Sequence, residues 1–123
     1  MYDKMYMKDR LVSFKITKKG GLTMGLPTKG WKNKKGTSDR VCCCGSWKQH
    51  WINITQKQWP EECSVKGCTR KPTLGAHVIN SSIIDKSERI VPMCDSCNQI
   101  EGEFELKNNI SCPSANVSET CGK

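Results

Sequence analysis

The sequence predicts a small α+β domain stapled through its cysteines, carrying a flexible basic N-terminal arm and a polar C-terminal tail. Three observations lead there. Nine cysteines occur in 123 residues, and four of them fall in two short spacings, Cys63-x4-Cys68 and Cys94-x2-Cys97. Hydrophobic residues make up 36% of the chain and aromatics 7%, so an apolar core alone is marginal and needs cross-linking support. Between the two cysteine pairs lie two strand-like runs joined by a turn. The length allows one domain with tails rather than two, divided here into an arm at residues 1–37, a folded part at 38–106 and a tail at 107–123.

In chain order, the arm opens with an apolar stretch, Leu11–Ile16, that reads as an edge strand. Residues 18–36 are rich in glycine and lysine, without helical or strand period, and read as flexible. Trp31 sits among Lys29, Lys32, Lys34 and Lys35; it is placed either to stack on an unpaired base or to tuck onto the domain surface. Residues 1–40 hold 11 Lys/Arg against 3 Asp/Glu, and the rest of the chain 9 of each, so the whole net charge of +8 belongs to the first third. That asymmetry fits contact with nucleic acid through residues 15–40, or a solubilising tail.

The folded part begins near Ser38. Ser46 reads as a helix N-cap, followed by Trp47, His50, Trp51 and Ile54 at spacings of three and four, so an N-terminal helix turns that face inward. Cys63-Ser-Val-Lys-Gly-Cys68 is a knuckle, with Gly67 supplying the tight turn. Leu74–Ile79 and Glu88–Pro92 read as two strands of a hairpin. Cys94-Asp-Ser-Cys97 then opens a helix, Asn98–Leu106, with Ile100 and Phe104 one turn apart and Gly102 weakening it. Beyond Lys107 the chain is polar, and Cys112 and Cys121 fall outside the spacing pattern as spare thiols.

Sulfur frameworks are of two kinds. Secretion with disulfides predicts a cleavable apolar leader, and the opening Met1–Arg10 contains none. No stretch approaches the roughly 20 apolar residues of a membrane span. Both observations point to an intracellular, reducing compartment, cytoplasm or nucleus, and to thiolate–metal chemistry. Four glycosylation sequons, at Asn53, Asn80, Asn109 and Asn116, are read as silent in that setting.

Knuckle, hairpin, second knuckle and helix is the order of a treble-clef zinc finger. Cys63, Cys68, Cys94 and Cys97 are assigned to one Zn2+, a set of four thiolates that suits tetrahedral zinc. A second set is read from Cys42, Cys44, His50 and His77, with Cys43 as a possible substitute. Its alternative has His50 packed between Trp47 and Trp51, and Cys42–Cys44 as ordinary thiols.

Residues 74–99 resemble the His-Me finger, or HNH-type, nuclease core. That resemblance implies His77 as the general base, Asn98 as a ligand of a catalytic Mg2+ or Mn2+, and a bracing zinc. The chain departs from the family at Ala76, where an acidic or histidine ligand is usual, and at Glu88 and Arg89, where an asparagine is usual. Over residues 42–98 the chain is similar to a group of short zinc proteins sharing Cys-Gly-Ser-Trp-x-x-His-Trp, Gly-Ala-His-Val and Val-Pro-Met-Cys-x-x-Cys-Asn, a likeness that implies no activity. Cys42-x-Cys44-Gly-Ser also looks like the start of the SEC-C zinc motif. The sequence thus favours a non-enzymatic zinc module binding nucleic acid or a protein partner, with an HNH-like nuclease as the alternative and an exported disulfide protein as a third reading. A phosphate loop of the Walker type is absent from the sequence.

Overall fold

The computed structural model describes residues 26–37 and 40–122. The strand expected at Leu11–Ile16 and most of the basic arm lie outside the described residues. The rest is a small α+β fold: strand β1 (Trp31–Asn33), helix α1 (Trp47–Thr55), strand β2 (Leu74–Asn80) and strand β3 (Arg89–Met93), with 3-10 turns at Cys97–Gln99 and Val117–Glu119. The strands form one antiparallel sheet in the order β1-β2-β3.

Register divides the sheet into two faces, because directly paired residues point the same way. Leu74 pairs Met93, Ala76 pairs Val91, Asn33 pairs Val78 and Trp31 pairs Asn80, all on one face. There Trp31, Ala76, Val78, Val91 and Met93 join Cys63, Val65, Cys94, Leu106 and Cys112 in the main core. Gly75 and His77 look the other way, toward α1. A Cβ on Gly75 would lie 2.6 Å from the Trp47 carbonyl carbon and oxygen, so the bare backbone here lets the helix approach the sheet closely. His77 meets the Trp47 ring edge-on at 4.5 Å.

Helix α1 begins at Ser46, whose hydroxyl accepts from the Gln49 N–H at 3.0 Å, satisfying one of the free amides of the first turn. It buries His50, Trp51 and Thr55, with Trp47 and Ile54 half-buried.

Three sequence expectations need correction. Trp31 belongs to no flexible arm: it is 1% exposed, in a strand, with its indole N–H donating to Pro27 O at 2.9 Å. Apolar burial of the largest side chain outweighs the polarity of its neighbours. The helix expected over Asn98–Leu106 is only the 3-10 turn. Past Gly102 the chain is extended, Phe104 bridging to Trp31 and Leu106 to Val65. Period two thus replaces period four, because Leu106 enters the core and residues 104–107 exchange backbone hydrogen bonds with Thr28, Trp31, Ser64 and Lys66. The segment read as a tail is packed too. Ser114 bridges to Arg89, Ala115 N–H donates to Glu88 O, and Ile90 N–H donates to Pro113 O, both at 2.9 Å.

Candidate metal centres

Among the described residues, two groups of side chains could each hold a metal ion, their ligand atoms lying within 4.8 Å of one another: Cys63, Cys68, Cys94 and Cys97, and Cys42, Cys44, His50 and Cys121. The seven cysteines of these two groups form no disulfide bonds.

The first cluster is made by two local turns brought together across the hairpin. Gly67 has φ +86, a left-handed conformation that few other residues adopt without strain. It lets the chain turn so that Cys68 N–H reaches Val65 O at 3.0 Å. After β3 the second knuckle folds back, with Asn98 N–H on Cys94 O at 3.1 Å. Asn33 reaches from β1 to clamp this turn, its amide donating to Cys97 O at 3.0 Å and Ile100 O at 3.1 Å. Backbone amides also point at the sulfurs: Cys94 N–H to Cys63 Sγ and Cys97 N–H to Cys94 Sγ, each at 3.4 Å. Such N–H···S contacts favour thiolates. At Cys94, burial raises the pKa, but hydrogen bonds from the Cys97 amide and the neighbouring thiols outweigh it and leave the value lowered. An ion bonded tetrahedrally to four sulfurs at about 2.3 Å sets S···S edges of about 3.8 Å. Cys68 and Cys94 Sγ lie 3.8 Å apart.

The second cluster joins the loop before α1, the helix itself and the chain's C-terminal stretch. Cys44 and Cys42 flank a turn in which Gly45 N–H bonds Cys42 O at 3.3 Å. His50 is fully buried on α1. Its Nε2 lies 2.9 Å from Ser114 O. A carbonyl oxygen only accepts, so Nε2 carries the proton and Nδ1 presents a lone pair. Nδ1 faces Cys121 Sγ at 3.5 Å, matching the edge of about 3.5 Å that metal–N and metal–S bonds of about 2.0 and 2.3 Å produce in a tetrahedron. A ring fixed through its far nitrogen to a carbonyl is how metal-binding histidines are oriented. At Cys121, burial raises the pKa, yet hydrogen bonds from the neighbouring Cys43 and Cys44 thiols oppose it and leave the value lowered.

The fourth position of this cluster is where the sequence reading needs correction. Cys42, Cys44 and His50 come together as one group, while His77 is not among them and Cys121 is. His77 sits inside strand β2, 6% exposed, against Trp47. Burial, set against a partly compensating Glu88 charge, lowers its pKa to about 4, and its Nε2 has no hydrogen-bond partner. Cys121 arrives because residues 111–115 run along β3 and against α1, Trp51 Nε1–H donating to Ser111 O at 2.9 Å, before the 3-10 turn at Val117–Glu119 carries the chain back. The signal for it was arithmetic: Cys42, Cys44 and His50 had only a histidine inside a strand to complete them, and Cys121 was a thiol without a role. Asn98 lies on the 3-10 turn beside the first cluster, and among the described residues no hydrogen bond links its side chain to His77.

Among the described residues no helix is long and apolar enough to cross a membrane. Comparison with family models, curated proteins and solved structures found no match to this chain, so both clusters are read from their own geometry.

Proposed function

We propose that the protein is a non-enzymatic zinc module that holds two Zn2+ ions and binds nucleic acid through its basic N-terminal third. The observation that carries the zinc reading is that each cluster closes on four protein donors, four thiols in one and three thiols with an imidazole in the other. Structural zinc sites have that closed set, whereas catalytic ones keep a position for water or substrate. Sulfur-rich donors also disfavour Mg2+ and Ca2+, which take oxygen. The knuckle–hairpin–knuckle order around the four-cysteine set supports a treble-clef-like description, with a 3-10 turn in place of its usual final helix.

The nucleic-acid reading rests on the +8 carried by residues 1–40. Within the described part, Lys29 and Lys35 are exposed on either side of β1. Lys35 engages Glu101 at 2.7 Å, a surface pair that phosphate can displace at little cost. Binding of this kind is weakly sequence-selective and steeply salt-dependent, because it is driven by counterion release. The nuclease reading is less well supported. Ala76 brings no ligand, and His77 lies under Trp47, away from the water a general base must activate.

The test has two parts. Elemental analysis of purified protein is expected to give two zinc ions per chain. Filter binding to single- and double-stranded oligonucleotides is expected to show affinity that falls linearly in log–log form with salt. Absence of binding at low salt sinks the nucleic-acid part and leaves a protein partner as the reading of the arm.

A further inference from the structure

A fifth thiol stands beside the second cluster. Cys43 lies between two ligand cysteines, is exposed, and donates its S–H to the backbone oxygen of Cys121 at 3.0 Å. The four-cysteine cluster is placed differently, with Cys63 and Cys94 buried in the main core.

We propose that Cys43 and Cys121 form a peroxide-sensitive dithiol whose oxidation dismantles the second metal centre while leaving the first intact. The inference rests on the reading of Cys42, Cys44, His50 and Cys121 as a zinc site. The Cys121 thiolate attacks one oxygen of a hydroperoxide, breaking the O–O bond; hydroxide leaves and Cys121 becomes a sulfenic acid. The Cys43 thiol then attacks that sulfur, an S–S bond forms, and the sulfenic oxygen departs as water. In sum two thiols and one hydrogen peroxide give one disulfide and two waters, a balanced two-electron oxidation. Cys121 is thereby lost as a donor, leaving Cys42, Cys44 and His50, which are too few for a closed tetrahedral site.

Cys42 and Cys44 also have sulfurs within 4.8 Å of Cys121 Sγ, but they are half-buried and would be held by the metal. Cys43, by contrast, is exposed, is not one of the four ligands and reaches Cys121. A bond between Cys42 and Cys44, or between either and Cys43, closes a ring over one intervening residue or none and is strained. Cys43 and Cys121 are separated by 78 positions and already touch. The new bond ties the C-terminal stretch to the loop before α1, so metal can leave while that stretch stays docked. A dithiol reductant restores both thiols by exchange, making the device reversible.

The experiment uses the full chain loaded with zinc. Hydrogen peroxide is titrated in while zinc release is followed with a chromogenic chelator and disulfides are mapped by mass spectrometry of alkylated peptides. The expected result is release of one of the two zinc ions together with a Cys43–Cys121 disulfide, reversed by dithiothreitol plus zinc. Cys43→Ser keeps all four ligands and removes an exposed side chain, so it is expected to hold two zinc ions and to lose the peroxide-induced release. Two zinc ions before peroxide, with release unchanged in Cys43→Ser or the disulfide mapped elsewhere, overturns the switch alone. One zinc ion before peroxide overturns the reading of the second cluster, and the switch with it.

Discussion

The two cysteine clusters lie on opposite faces of one three-stranded sheet and are assembled by opposite means. The four-cysteine cluster shares the main core with Ala76, Val78, Val91 and Met93, and its ligands come from two tight turns flanking the β2–β3 hairpin. The histidine-containing cluster sits beyond α1 on the other face, and His50 meets Cys121 from 71 positions away. One site organises the core; the other fastens a helix and the C-terminal stretch onto it. The difference teaches that cysteine spacing reports on clusters built from local turns and poorly on closures made by distant segments.

The largest expected effect comes from breaking the core site. Replacing Cys94 with Ser removes a buried ligand, and structural zinc sites contribute on the order of 10–16 kcal/mol of apparent binding free energy. That matches or exceeds the whole stability of a small domain, about 5–15 kcal/mol. Cys94→Ser is therefore expected to lose its cooperative thermal transition by circular dichroism, whatever the state of the second cluster. A variant that still melts cooperatively near the wild-type temperature would move the organising role away from the four-cysteine set.

A gentler substitution tests the scaffold of the second site. Gly75→Ala puts a methyl group 2.6 Å from the Trp47 backbone, so α1 must shift outward, an overpacking cost of about 1–3 kcal/mol. Denaturant unfolding should show that loss. Zinc competition should show weaker retention at the helix-borne cluster and unchanged retention at the other, and equal weakening of both would contradict their separation.

The smallest effect concerns His77, whose pKa burial lowers to about 4. Its unfolded value is near 6.5, so between about pH 6.5 and 4 the unfolded chain binds a proton that the folded chain does not. Stability from this group is complete above about pH 6.5 and declines as pH falls through that window. His77→Phe fills similar space and lacks the orphaned nitrogen. At about pH 7.5 it should differ from wild type by less than about 1.5 kcal/mol, and its advantage should grow as pH falls from about 6.5 to 4. Urea midpoints across that range check this, and a constant difference would mean His77 does not titrate as a buried group.

Legibility in the sequence followed the range of each interaction. The Ser46 cap, the α1 face around His50 and Trp51, the hairpin and the two knuckles are local patterns, fixed within a turn or two of their own residues. Residues 98–106 misled because Ile100 and Phe104 fit a helix as well as Phe104 and Leu106 fit a strand. Pairing with Trp31 and Val65 decides between them, and neither partner is near in sequence. Trp31 was obscured by four lysines around a three-residue strand. Cys121 carried no spacing signal at all, since the chain that delivers it, 107–120, has no periodicity and is positioned by backbone bonds to β3.

The central claim is that Cys121, and not His77, completes the second cluster. Its most direct test is zinc stoichiometry after exhaustive dialysis of wild type, Cys121→Ser and His77→Ala. Two, one and two ions per chain are predicted; two ions in Cys121→Ser with one in His77→Ala would contradict the account.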